Sequence, residues 1–238
     1  MFELAKRAHW LQTLIVRLLA AVPPAIEHNV QKTLAIKKAL YFAFLEQLEG
    51  DYLEFGTFEG TSLIAAFEHD RRFRTASTPR RAFWGFDSFE GFKYFDERDH
   101  HPFFKEGEFA SSYEQTRRRL EKHIKGRAEW TLVKGYFEDS IQAKAAPDLG
   151  IKRISVALID CDLGTPALIA LNFMVPALQN GTVLILDDYF AYGGSLTDGV
   201  AGAFKTFKDR HPGLIFRRLF DYGHGGQAVV LVDGAQER

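Results

Sequence analysis

Residues 51–63 read DYLEFGTFEGTSL: a short apolar strand through Tyr52, Leu53 and Phe55 that carries Glu54, breaks at Gly56 and turns through Gly60 into a helix at Thr61 or Ser62. Glycine supplies the backbone angles that such a turn needs and lets a ligand come close to the main chain. The new helix directs its unpaired N–H groups at whatever lies beyond the turn. A dinucleotide-binding turn needs a third glycine between these two, and that position is not glycine. Glu54 followed by glycine suits instead a ligand with a positive end, such as the sulfonium and amino group of S-adenosylmethionine. A turn that merely joins strand to helix would use the same two glycines, so the turn alone does not separate the two readings.

At 238 residues the chain is long enough for one large domain with a substantial core. Its single cysteine, Cys161, excludes an internal disulfide framework and fits a reducing compartment, the cytoplasm. Thirty basic against thirty-one acidic side chains create no overall field, so neither nucleic acid nor a membrane surface is expected as a partner. No apolar run approaches the roughly 18 residues of a membrane span. Lys6, Arg7 and the later LLAAVPPA imitate a secretory leader, but Arg17 splits the apolar region, and Leu11, Leu14, Ile15, Leu18 and Val22 fall at helical spacing. An amphipathic helix ended by Pro23 and Pro24 is expected, then a second over 31–47. Residues 1–50 read as an N-terminal helical extension that caps the site or builds a homo-oligomer interface.

From Asp51 onward strand and helix alternate. Strands are expected near 51–55, 82–87, 130–134, 154–160, 181–187, 214–220 and 227–232, and helices near 61–70, 113–125, 165–178 and 196–210. Thr165 and Pro166 form a helix start, and Pro176 should divide that helix. The pattern predicts an α/β fold with a seven-stranded, mostly parallel sheet over 51–238 and an antiparallel C-terminal hairpin. Ligands in such sheets sit at the carboxyl ends of the strands.

Those ends carry the chemistry. The second strand ends at Asp87, whose carboxylate suits a ribose diol. After the third comes GYFEDS, where Phe137 could lie against an adenine and Asp139 meet its amino group. The fourth, ISVALIDCD, brings Asp160 and Asp162 to one end; the fifth, TVLILDDYF, brings Asp187 and Asp188 to the next. Converging like charges need a cation, and an all-oxygen ligand set suits Mg²⁺ first, then Mn²⁺ or Ca²⁺.

EFGTFEGTS, GFDSFEGF, GYFEDS, DCDL and LDDYF, in this order and spacing, resemble the macrocin O-methyltransferase family over most of 51–189. The resemblance implies a Rossmann-like class I methyltransferase fold, S-adenosylmethionine as donor and a bound Mg²⁺. It implies that Glu54, Gly56 and Gly60 hold the methionine part, with Thr57 and Ser62 in the same turn. Asp87 with Ser88 would take the ribose, and Phe137 with Asp139 the adenine. Asp160, Asp187 and Asp188 would be the metal ligands, Asp160 also bordering the donor, and Asp162 matches the position of the general base. The chain departs from the family pattern at Gly164, where a tyrosine is usual.

His224, in DYGHGGQ, is a second candidate base. The long aromatic segment 89–112 is expected to form a lid over a hydroxylated small-molecule acceptor, with Phe92, Tyr94, Phe103 and Phe104 packing it and His100 or His101 supplying polar contacts. Alternative readings are a catechol-like phenol as acceptor, or a non-catalytic S-adenosylmethionine-binding scaffold, which would have no need of all four aspartates.

Overall fold

Strand β1 (Asp51–Phe55) buries every side chain after Asp51. Alternation sends Leu53 and Phe55 into one core and Tyr52 into the other, with Glu54 on the Tyr52 face. The computed structural model describes residues 9–75, 78, 80–94 and 97–232; Lys6 and Arg7 lie outside them. β1 pairs in parallel with β2 (Phe83–Asp87), and β2 with β3 (Trp130–Lys134). On its other side β1 pairs in parallel with β4 (Ile154–Ile159), buried along its whole length, and β4 with β5 (Val183–Leu186). The hairpin of β6 (Ile215–Tyr222) and β7 (Gly226–Val232) is antiparallel and joins through β7 to β5. The order is β3-β2-β1-β4-β5-β7-β6, the expected seven-stranded sheet. Strand order reverses between β1 and β4, which places a crevice at their carboxyl ends.

Helices cover both faces. Helix α1 (His9–Ala20) has no buried residue and meets α2 (Pro24–Leu45) at 90°. α2 buries Ala35, Ile36, Ala39, Leu40 and Ala43 in the core it shares with α3 (Thr61–Phe73) and α4 (Tyr113–Ile124). The other core is roofed by α5 (Gly164–Met174) and α6 (Gly199–Arg210). No single helix among the described residues is long and apolar enough to cross a membrane; α1 and α2 reach that apolar length only together, across their bend.

Two helix starts differ from expectation, at Pro24 and at Gly164. Pro24 opens the second helix seven residues early, because proline at the first helical position lacks only an N–H that would be unpaired anyway. α5 starts at Gly164, and the N–H of Thr165 donates to Asp99 Oδ1 (3.3 Å), so its capping carboxylate comes from the 89–112 loop. Pro176 divides the helix as expected, leaving a 3₁₀ turn over Val175–Ala177.

Candidate active site

The first turn is held by the chain's own backbone. Gly56 N–H donates to Phe86 O (2.8 Å), and a Cβ at Gly56 would fall 1.8 Å from the carbonyl oxygen of Asp160. Gly60 sits at φ +78°, and a Cβ there would press on Thr116 and Leu120 of α4. Both glycines are therefore required by contacts within the protein. Thr57 is buried, its hydroxyl 3.5 Å from Glu54 O. The Glu54 carboxylate is fully buried and accepts hydrogen bonds from Tyr52 Oη and Ser62 Oγ, each at 2.9 Å. Burial pushes its pKa up to about 7, the two hydroxyls and Lys32 opposing.

Asp87, at the end of β2, accepts the N–H groups of Phe58 (2.7 Å) and Phe89 (2.6 Å), tying the first turn to the start of the 89–112 loop. Burial raises its pKa against those amides. Ser88 Oγ is engaged locally, accepting from Glu90 N–H and donating to Gly91 O. At GYFEDS the expectation needs correction. Phe137 is buried among the core residues, its ring nearly perpendicular to that of Phe55 at 5.7 Å. Asp139 is exposed. Between them, Glu138 has both carboxylate oxygens buried and unpartnered, and burial raises its pKa. A buried acceptor without a donor is the complement of an amino group such as adenine's. The short helix Phe137–Ser140 turns about 100° per residue, which puts the three side chains of FED in three directions.

Three of the four aspartates, Asp160, Asp187 and Asp188, converge. One oxygen from each of Asp160, Asp187 and Asp188 lies within 4.8 Å of the others, a hard, all-oxygen donor set that fits a divalent cation. Asp162 lies beside Asp188, and burial together with that neighbour raises the Asp162 pKa well above the ordinary carboxyl range. Asp162 and Asp188 both adopt left-handed backbone angles, φ +61° and +49°, which aspartate tolerates better than most residues.

Two residues of α2 complete the cluster and were not anticipated. Lys32 Nζ donates to Asp160 Oδ1 (2.9 Å) and Oδ2 (2.7 Å) and lies 2.6 Å from Asp187 Oδ2. His28 Nε2 is 3.1 Å from both oxygens of Asp187, and Tyr222 Oη donates to Asp187 Oδ1 at 2.5 Å. Burial alone would raise the Asp187 pKa, but Lys32 and the His28 hydrogen bond hold it far below the usual range. Its partner Asp160 is raised, first by burial and then by Asp187. Burial opposes the charge on Lys32, and the two aspartates more than restore it. A signal existed: His28, Lys32, Ile36 and Leu40 form one i, i+4 row, so the inward stripe of α2 runs on into two polar residues. His224 is exposed instead, its N–H donating to His28 Nδ1 (3.2 Å) and its ring reaching Pro24 O (3.0 Å). It braces α2 and is not presented as a base.

The 89–112 loop folds back on itself through a Glu90–Ala110 bridge and is pinned at its middle, where Asp99 is buried and its carbonyl accepts from Tyr192 Oη (3.1 Å). Phe92 and Phe104 pack edge-on at 5.9 Å, and Phe103 on Phe104 at 5.5 Å. Tyr94 Oη donates to Phe104 O. The loop aromatics thus pack chiefly on one another. His100 and His101 face a pocket of about 470 Å³ shared with Glu97, Pro102, Tyr192, Gly193 and Asp198. At Gly164, where the family pattern has tyrosine, a Cβ would lie 3.0 Å from Gly199 O, so glycine lets the starts of α5 and α6 meet.

A parallel sheet whose first turn carries a buried acid, with an antiparallel hairpin at its end, is the class I methyltransferase fold. Within that class the profile described as Macrocin-O-methyltransferase (TylF) matches residues 30–212, and the chain belongs to this family. It is an S-adenosylmethionine-dependent O-methyltransferase. The fold is similar to that of the O-methyltransferase NovP (TM-score 0.67, 18% identity, covering 84% of this chain and 79% of that one). It is also similar to the calicheamicin methyltransferase CalS11 (0.64, 18%, 83% and 77%) and to a Bacillus cereus O-methyltransferase in complex with S-adenosylhomocysteine (0.54, 18%, 93% and 89%). No curated protein matches the chain.

Proposed function

We propose that the chain methylates a hydroxyl on the sugar of a small natural product, with Asp162 as base and a divalent cation held by Asp160, Asp187 and Asp188. The observation that carries this reading is the convergence of three carboxylates at the adjoining ends of β4 and β5, beside Asp162 and within reach of the first turn. Glu54 and Ser62 border the methionine part of the donor, Asp87 its ribose, and Glu138 its adenine. The pocket under the loop receives the acceptor, its two histidines, two carboxylates and Tyr192 giving a sugar both hydrogen-bond partners and a flat ring.

The acceptor oxygen forms a bond to the methyl carbon as the carbon–sulfur bond breaks, its electron pair staying on sulfur, and the hydroxyl proton passes to Asp162. Holding donor and acceptor in line can contribute about 7–11 kcal/mol. An unaided aspartate is a poor match for an aliphatic hydroxyl, and burial of Asp162 narrows the gap. A bound divalent ion would supply polarisation of that hydroxyl.

Methyl transfer from labelled S-adenosylmethionine to sugars with adjacent hydroxyls, with Mg²⁺ or EDTA, tests the reading. Asp162→Asn should lower turnover about 10²- to 10⁴-fold while S-adenosylhomocysteine binding, followed by calorimetry, is unchanged. Full turnover in that variant would remove Asp162 from the role.

A further inference from the structure

Lys32 takes the position that a cation should take. Its ammonium lies between Asp160 and Asp187, 2.7 Å and 2.6 Å from one oxygen of each, and those aspartates are two of the three that would bracket a divalent ion. It reaches Asp160 from α2, across 128 residues of sequence, from the same row as the buried Ile36 and Leu40. Both oxygens of Asp160 are engaged by this one group, and the other oxygen of Asp187 is taken by Tyr222 and His28. Asp188 alone of the three touches neither Lys32 nor His28 at hydrogen-bond distance among the described contacts.

We propose that Lys32 is a resident cation of the carboxylate cluster, competing with the divalent ion for Asp160 and Asp187 and thereby setting its affinity. This inference rests on the metal reading given above. Two cations drawn to the same oxygens repel each other at close range. Without the divalent ion, the ammonium keeps the aspartates gathered where bare carboxylates would push apart. As the ion binds, Lys32 gives up its bonds to Asp160, and the first turns of α2 lose that tether. Lys32 is thus a positioning residue: it orients the carboxylates of Asp160 and Asp187.

Calorimetric titration of the full chain with Mn²⁺, without donor or acceptor, tests the proposal, comparing wild type with Lys32→Met. Competition predicts that Lys32→Met binds Mn²⁺ roughly tenfold or more tightly. It also predicts that Mn²⁺ raises the melting temperature more in the variant than in wild type. Lys32→Gln, which removes the charge but keeps a polar group facing Asp160, serves if the methionine variant does not fold, and the same tightening is expected. Lys32→Arg, still charged, should bind no more tightly than wild type. Equal or weaker Mn²⁺ binding in the neutral variants would overturn competition while leaving the metal site standing. Mn²⁺ binding by neither wild type nor any variant would overturn the metal reading and the competition with it. Binding by the neutral variants alone would support the proposal in its strongest form.

Discussion

Glu54 concentrates the electrostatics of the first turn in one carboxyl group. Its pKa is raised above the unfolded value, so the stability it contributes is fully present below about pH 4.5 and is lost as pH rises through about 7. Across that window wild type should lose on the order of 3 kcal/mol from this group, and Glu54→Gln should lack that part of the slope. Urea unfolding of both proteins at pH 5 and pH 8 measures it; parallel slopes would show that the carboxyl ionises in the folded chain as easily as in the unfolded one. Residues of this kind were legible in sequence because their chemistry is local: an acid, a glycine and a hydroxyl eight positions on meet across a single turn. Phe137 was not legible, since one residue of phase at the start of a short helix decides whether Phe137, Glu138 or Asp139 faces the crevice. Of the three, Glu138 is the one whose carboxylate oxygens are buried without a partner. On the adenine reading proposed for Glu138, Glu138→Met, which keeps the bulk but offers no oxygen acceptor, is expected to weaken S-adenosylhomocysteine binding about tenfold in calorimetry.

At the scale of elements, β1 and β4 approach so closely past their paired residues that only glycine fits at position 56. Gly56→Ala would drive a methyl group into the Asp160 carbonyl, with no side-chain rotation to relieve it, and should cost more than about 4 kcal/mol in thermal unfolding. Gly126→Ala, also at positive φ but with open space around it, should cost about 1 kcal/mol. The strands were readable because apolar runs of four to six residues end in glycine or aspartate, and the parallel order followed from their alternation with helices. The placement of α2 was not readable. Its inward stripe identifies a helix that packs on something, but the pairing of Lys32 with Asp160 and of His28 with Asp187 spans 128 and 159 residues, and no local pattern encodes such a meeting.

The whole molecule carries an uncovered apolar arm. α1 exposes Trp10 (69%), Val16 (63%) and Leu19 (65%), and the outer row of α2 continues with Ile26, Val30 and Leu34. Single exposed apolar residues need no partner, but a contiguous band of this kind does. The homo-oligomer expected from the sequence would bury this band, and Leu14→Glu with Leu18→Glu should shift the assembly toward monomer in light scattering. An unchanged mass would assign the band to some other contact.

The bonds that hold α2 to the sheet have a consequence for the order of assembly. Gln31 accepts from Gly223 N–H across 192 residues, and Tyr222 closes on Asp187 beside it. α2 leaves the ribosome well before β6 and β7, the strands that hold its inner end. The closure of so long a loop is slow relative to local pairing. The carboxylate corner is therefore finished only after β6 and β7 have followed, and a ribosome-stalled chain ending before β6 would keep α2's polar row exposed to protease while β1 to β4 were already protected.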